Sequence, residues 1–240
     1  MSRATVSDLQ QGMAGVRRQS GTDTKSIDWT IPGIQSLVDR LGICECRRRL
    51  LHMLPGLLPV VLSFIPHRDP WGLPLLFSVL VLMSGIFTFA ITRELDFARR
   101  NETNWNYTVE GYGLPVVVTL FLLPGRSELG LMVLGIVAFG DGSATLGGKL
   151  MGGRQLPWNR NKTWAGLGCF LLAGTTMASF NYWIEARPHV EYGVALCIAA
   201  VAALTAAIAE SLPIRSHDNL RVGTTAAITG LGMHFLLLGW

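Results

Sequence analysis

The sequence has 240 residues, half of them hydrophobic and only 15% charged, with four cysteines and a formal net charge of +4 at pH 7. This apolar content excludes disorder, four cysteines in such a length exclude a disulfide scaffold, and the dispersed charge excludes a nucleic-acid-binding arm. With a mean hydropathy of +0.38, the composition is that of a membrane protein.

In chain order, residues 1–33 are polar and carry Asp8, Asp23 and Asp28. They lack the apolar stretch of a signal peptide and the acid-poor character of a transit peptide, and read as a mobile tail. In 34–49, Ile34, Leu37, Val38 and Leu41 have helical spacing with Asp39 and Arg40 opposite. That pattern fits an interfacial helix or a plain lead-in to the first span. A crossing helix needs about 20 apolar residues, and seven stretches approach it: 50–65, 71–91, 112–124, 129–149, 164–184, 190–210 and 222–240. The short 112–124 run reaches that length if its helix extends past Tyr112.

Seven crossings collect Arg40, Arg47–Arg49, Arg93, Arg99, Arg100, Lys149, Arg154, Arg160, Lys162, Arg215 and Arg221 on one face. Only Arg68, Arg126 and Arg187 fall on the other. Basic residues mark the cytoplasmic side, which predicts an all-α polytopic bundle over 50–240 with its N-terminus cytoplasmic.

Four polar clusters interrupt the apolar pattern on that face, and ionisable residues at membrane depth are candidates for function. In GDGSATLGGKLMGGRQLPWNRNKTWAG at 140–166, Asp141 lies between Gly140 and Gly142, with Gly147, Gly148 and Lys149 following. Glycines let a backbone approach an anion, and Lys162 and Thr163 open a helix whose N-terminus favours phosphate. The spacing does not make a Walker A loop. Glycine-mediated helix packing explains the glycines equally well, although not the acid.

In ESLPIRSHDNL at 210–220, Glu210, Asp218 and Asn219 offer oxygen ligands that, with Asp141, suit Mg²⁺. Helix capping accounts for Asp218 or Asn219 but leaves Glu210 unexplained. In ECRRRLLH at 45–52, Arg48 and His52 share a helical face, as part of a site or of a cluster binding lipid phosphates. The fourth cluster, 93–107, reads mostly as a solvated face in which Asn101, Glu102, Asn104 and Asn106 could reach a site. The cysteines show no metal-site spacing, and no nucleophile motif such as GxSxG or HExxH is present. Metal-assisted phosphoryl chemistry on a membrane-embedded substrate is the remaining expectation.

Three ordered pieces, RRLLH at 48–52, GDG at 140–142 with LPWNRNKTWAG at 156–166, and ESLPIRSHDNL at 210–220, resemble the CTP-dependent polyprenol and dolichol kinases, with the plant phytol and farnesol kinases most alike. The resemblance covers Glu45 to about Gly223. It implies a multi-span kinase that phosphorylates a lipid alcohol with CTP and a divalent metal. It also implies nucleotide contacts at Gly140, Gly142, Gly147, Gly148, Lys149, Thr163 and Gly166, with Asn159, Asn219 and Arg48 at their edge. Asp141, Asp218, Lys162 and His52 would take the catalytic roles, and Asp141, Glu210 and Asp218 would hold Mg²⁺.

Two positions depart from the family pattern. Thr145 stands where the family has a second Asp, and Gly148–Lys149 where it has an Arg. Phosphatidate cytidylyltransferases share a KTWEG-like turn, so CMP transfer is the rival chemistry, and an anion-binding transporter or lipid-binding protein is the rival class. The sequence leaves a homo-oligomer open.

Overall fold

Proline and glycine divide the first apolar run. Helix α1 (Ile43–Met53) starts after Gly42, whose φ of 81° is a left-handed conformation that glycine adopts freely. Pro55 then tightens the chain into a 3-10 turn, Leu54–Leu57, and Pro59 sits in the first turn of α2 (Leu58–Leu62). The expected 50–65 span is therefore two helices joined by this turn, and helical structure ends at Leu62. The computed structural model describes residues 42–65, 72, 105–214 and 218–239. The tail at 1–33, the start of the 34–49 lead-in, the 71–91 run and most of the 93–107 cluster lie outside the described residues.

Helix α3 (Trp105–Leu122) begins upstream of Tyr112, but its apolar part, Gly113–Leu122, stays shorter than a crossing helix needs. It keeps Pro115 in its interior, and Thr119 Oγ1 donates to the Pro115 carbonyl at 2.7 Å. A continuous 25-residue rod follows over Ser127–Met151, made of α4 (Ser127–Gly135), a π-helical turn (Ile136–Asp141) and α5 (Gly142–Met151). Three long helices complete the described fold: α6 (Trp164–Glu185), α7 (Tyr192–Ser211) and α8 (Asp218–Leu238). The architecture among the described residues is all-helical, with one isolated extended bridge between Gln155 and Thr163.

The rod is the centre of the bundle. Residues Leu129 to Ala138 are buried on every side, as an all-apolar helix must be. Helix α6 packs along the rod and against α7, and α8 packs on α7 and α3. Close approach rests on small residues: the buried face of α7 includes Ala195, Ala199, Ala202, Ala203, Ala206 and Ala207 beside Ile198, and a methyl group on Gly140 would lie 2.7 Å from the Phe170 ring of α6. Large apolar side chains instead face outward, among them Leu172, Ile208, Ile228 and Leu236.

Two described helices, Ser127–Met151 and Tyr192–Ser211, are both long and apolar enough to cross a membrane. Helices α6 and α8 have 22 and 21 residues, but Thr175, Thr176 and Asn181 in one and Asn219, Arg221 and Thr224 in the other reduce their apolarity.

Candidate functional site

The π-helical turn ends on Asp141, and such turns often mark functional sites because they re-aim the side chains that follow. The Asp141 carboxylate accepts a hydrogen bond from Arg49 Nη1 at 2.7 Å. His52 Nε2 lies 3.4 Å from the same oxygen and 3.3 Å from the Val137 carbonyl. A carbonyl only accepts, so in that contact Nε2 carries the proton. Arg49 and His52 are three residues apart on α1 and share the face turned towards the rod. That face carries Arg49 to Asp141, whereas Arg48, one position earlier, does not line the cavity described below.

Two glycines with positive φ, Gly152 and Gly153, turn the chain out of α5. The connection to α6 then closes on itself: Trp164 N donates to Arg154 O at 3.1 Å, Leu156 N to Lys162 O at 2.9 Å and Lys162 N to Asn159 O at 3.0 Å. Thr163 caps α6, its Oγ1 accepting from Gly166 N at 3.1 Å. Asn159 Nδ2 and Trp158 Nε1 donate to Ser211, each at 3.1 Å, and tie the connection to the end of α7.

This tie delivers Lys162 to the two acids of the α7–α8 corner. Its Nζ donates to the Glu210 backbone carbonyl at 2.8 Å, pairs closely with Glu210 Oε1, and lies 3.3 Å from Asp218 Oδ2. Arg221 holds the corner from below. It bonds Asp218 Oδ1 at 3.0 Å and the backbone carbonyls of Leu212 and Ile214 at 3.3 and 3.2 Å.

These groups surround a cavity of about 410 Å³, within the usual size of a small-molecule site. Of the residues expected from the sequence, Asp141, Lys162, Glu210, Asp218, Gly148, Lys149, Thr163 and Gly166 line it, and so does Thr145. His52 adjoins it through Asp141. Lys149 reaches it without an ion-pair partner among the described residues.

The other expected residues have different surroundings. Gly140 lies against Phe170, Gly142 against Met53 and Gly147 against Cys169, so these three serve helix contact. Asn159 is bonded to α7 while Asn161 lines the cavity, and Asn219 is buried in the first turn of α8. Arg49, Asn161 and Arg221 were not among the expected site residues. The only signals for them were an arginine adjacent to the one chosen, a second Asn in the same loop, and a basic residue one turn into α8.

Among the described residues no three His, Cys, Asp or Glu side chains approach closely enough to hold a metal by themselves. The expected trio of Asp141, Glu210 and Asp218 shares the cavity but not a common point, because Arg49 engages the first and Lys162 the other two. The donor set suits an ion such as Mg²⁺, which takes one or two carboxylates and completes its shell with phosphate and water.

An all-helical bundle with two membrane-capable helices and a mixed-charge cavity at one end defines the class. No protein-family model matches the chain, and no solved structure does. It is similar to a probable phytol kinase of Triticum aestivum (27% identical over 134 residues, 53% of this chain and 43% of that protein). It is also similar to the farnesol kinase of Arabidopsis thaliana (29% over 108 residues, 43% and 35%) and to phytol kinase 1 of that plant (26% over 198 residues, 73% and 62%). All three relatives are chloroplastic. The chain spans between about a third and two thirds of the length of these relatives. It is thus related to the plant phytol and farnesol kinases.

Proposed function

We propose that this chain is a membrane lipid-alcohol kinase. It transfers the terminal phosphate of a nucleoside triphosphate, with CTP the donor that the resemblance implies, to an isoprenoid alcohol such as phytol or a polyprenol, or to diacylglycerol. The observation that carries this reading is the convergence of Asp141, Lys162, Glu210 and Asp218 on one cavity from four separate elements. The similarity to kinases of phytol and farnesol supports it.

In this reading the alcohol oxygen attacks the terminal phosphorus as the bond to the bridging oxygen breaks, giving a lipid monophosphate and a nucleoside diphosphate. The proton of the alcohol passes to a cavity carboxylate, either Asp218 or the Asp141 that Arg49 and His52 hold in place. Lys149, with no ion-pair partner among the described residues, meets the phosphates, while Lys162 orients Glu210 and Asp218 and adds positive charge. Such transfer depends on positioning and charge stabilisation rather than on a covalent protein intermediate. A divalent cation such as Mg²⁺ would take its protein ligands from Asp141, Asp218 and Glu210 and complete its shell with phosphate and water, and it would supply neutralisation of the charge on the phosphate oxygens. The bundle crosses the membrane about seven times with the N-terminus and the cavity on the cytoplasmic face. The one-sided distribution of Lys and Arg and the outward-facing leucines and isoleucines support that placement.

The test incubates purified protein and Mg²⁺ with γ-labelled CTP or ATP and, in turn, phytol, farnesol, a polyprenol and diacylglycerol. Label in the lipid phase is expected with one alcohol. Label from α-labelled CTP in phosphatidate would replace this reading with cytidylyl transfer, and no label from either would replace it with a non-catalytic anion- or lipid-binding role.

A further inference from the structure

The connection between α5 and α6 has an outer surface that the cavity does not use. Trp158 and Trp164 are 46% and 47% exposed and stand edge to face with ring centroids 5.6 Å apart. Met151 at the end of α5 is 70% exposed, and Leu212 and Ile214, beyond the Ser211 to which Trp158 is bonded, are exposed as well. Water is a poor solvent for five apolar side chains gathered on two adjoining connections. On the same α5–α6 connection Arg154 and Arg160 are exposed and have no ion-pair partner among the described residues.

Paired tryptophans beside unpaired arginines match one environment closely. Indole rings settle at the headgroup level of a bilayer, and cationic side chains next to them attract anionic lipid phosphates. We propose that residues 151–164, together with the end of α7, form an interfacial seat for an anionic phospholipid leaflet. Trp158 and Trp164 lie among the headgroups, and Arg154 and Arg160 contact the lipid phosphates.

The seat fixes the height of the cavity. Leu156, Asn161, Lys162 and Thr163 of the same connection line it, so the cavity mouth opens at headgroup depth. There the hydroxyl of a lipid alcohol resides while its chain stays in the hydrocarbon. This inference rests on the membrane part of the proposed function and not on phosphate transfer.

The test reconstitutes the full chain in vesicles of phosphatidylcholine with phosphatidylglycerol, using acyl chains brominated either near the headgroup or near the terminal methyl. Trp158→Phe and Trp164→Phe, singly and together, isolate the fluorescence of the pair from that of the other tryptophans. The pair's share is expected to be quenched more strongly by shallow bromines than by deep ones. Quenching is also expected to be at least about twofold stronger when the bromines ride on phosphatidylglycerol than on phosphatidylcholine, and Arg154→Gln with Arg160→Gln should remove that preference. Because Trp158→Phe also removes the bond to Ser211, Trp164→Phe alone must show the same depth dependence.

Equal quenching at both depths, or a pair share quenched only by acrylamide from the water, would overturn the seat. Equal quenching by the two lipids would overturn its anionic partner. Quenching needs no turnover, so a silent kinase assay leaves this result standing. A parent protein quenched by neither bromine position would instead overturn the membrane reading on which the seat depends.

Discussion

The two ends of the bundle bury polar groups in different ways. Ser127 begins the central rod and Asp141 lies 14 residues later, roughly 20 Å away along a helix. At the Ser127 end the serine donates to Glu185 at 2.9 Å, Arg126 lies 3.8 Å from Glu128, and Tyr182 Oη meets His234 Nδ1 at 2.6 Å. Both glutamates and the histidine are almost completely enclosed. At the Asp141 end the charges are just as tightly paired, yet the Asp218 and Lys162 side chains keep 47% and 23% of their surface, and both face an open cavity. Burial of charge inside an apolar bundle is therefore not enough to mark a site. What distinguishes the cavity end is pairing that a ligand can reach and exchange.

The most severe challenge to this distinction is Asp141→Asn. If the cavity is the reaction site, losing that charge should lower kcat by on the order of 10³-fold while the protein stays folded, as judged by circular dichroism and Tm. Ser127→Ala at the closed end should leave kcat within about twofold. Comparable losses from both substitutions would erase the difference between the ends.

Stability sharpens the comparison further. Glu210 is buried and paired with Lys162, so Lys162→Ala removes the partner of that carboxylate and should cost about 1–3 kcal/mol in a denaturation experiment. Adding Glu210→Gln should recover much of that loss without recovering turnover. At the closed end Tyr182→Phe removes the partner of a buried imidazole, for a loss of about 1–3 kcal/mol with kcat nearly unchanged. A fall in kcat for Tyr182→Phe at full occupancy of the folded state would connect the two ends.

These contrasts also separate what is legible in the sequence from what is not. The apolar runs at 129–149, 164–184, 190–210 and 222–240, bounded by glycine, proline and charge, each match a long helix, whereas the 50–65 run is broken at Pro55 into two short ones. The clusters at 140–166 and 210–220 carry the acids and lysines that meet in the cavity. Which of two neighbours faces inward is harder to read. Arg48 and Arg49 are chemically identical, and only the direction in which α1 lies on the rod selects Arg49. The π-helical turn at 136–141 adds no distinctive residue beyond Gly140, yet it decides where Asp141 points. The glycines illustrate a different ambiguity: Gly140, Gly142 and Gly147 satisfy helix contact, whereas Gly148 and Gly166 both pack and line the cavity. The Ser127–Glu185 and Tyr182–His234 contacts, 58 and 52 residues apart in the chain, have no local signature at all.

Arg221 tests whether the α7–α8 corner acts as a unit. Its guanidinium serves a carboxylate and backbone carbonyls at once, and a lysine ammonium cannot reproduce that fork. Arg221→Lys should therefore let Asp218 move and lower kcat/KM by roughly tenfold, by analogy with the cost of small misplacements at reacting centres. An unchanged kcat/KM would show that Lys162 alone suffices to hold Asp218.

The smallest effect discriminates most finely, and it concerns Thr145. This residue lies four positions after Asp141 and lines the same cavity, on one helical face with it. Thr145→Asp adds a second carboxylate there. If a divalent cation binds beside Asp141, another negative charge about 8 Å from its double positive charge contributes about 1 kcal/mol in a water-like dielectric, and the Mg²⁺ concentration for half-maximal activity should fall roughly fivefold. If only the nucleotide phosphates occupy that space, the same charge repels them, so the KM for the nucleotide rises while the Mg²⁺ midpoint stays fixed. The two outcomes move different axes of one titration, and they assign the Asp141 side of the cavity to the cation or to the phosphates.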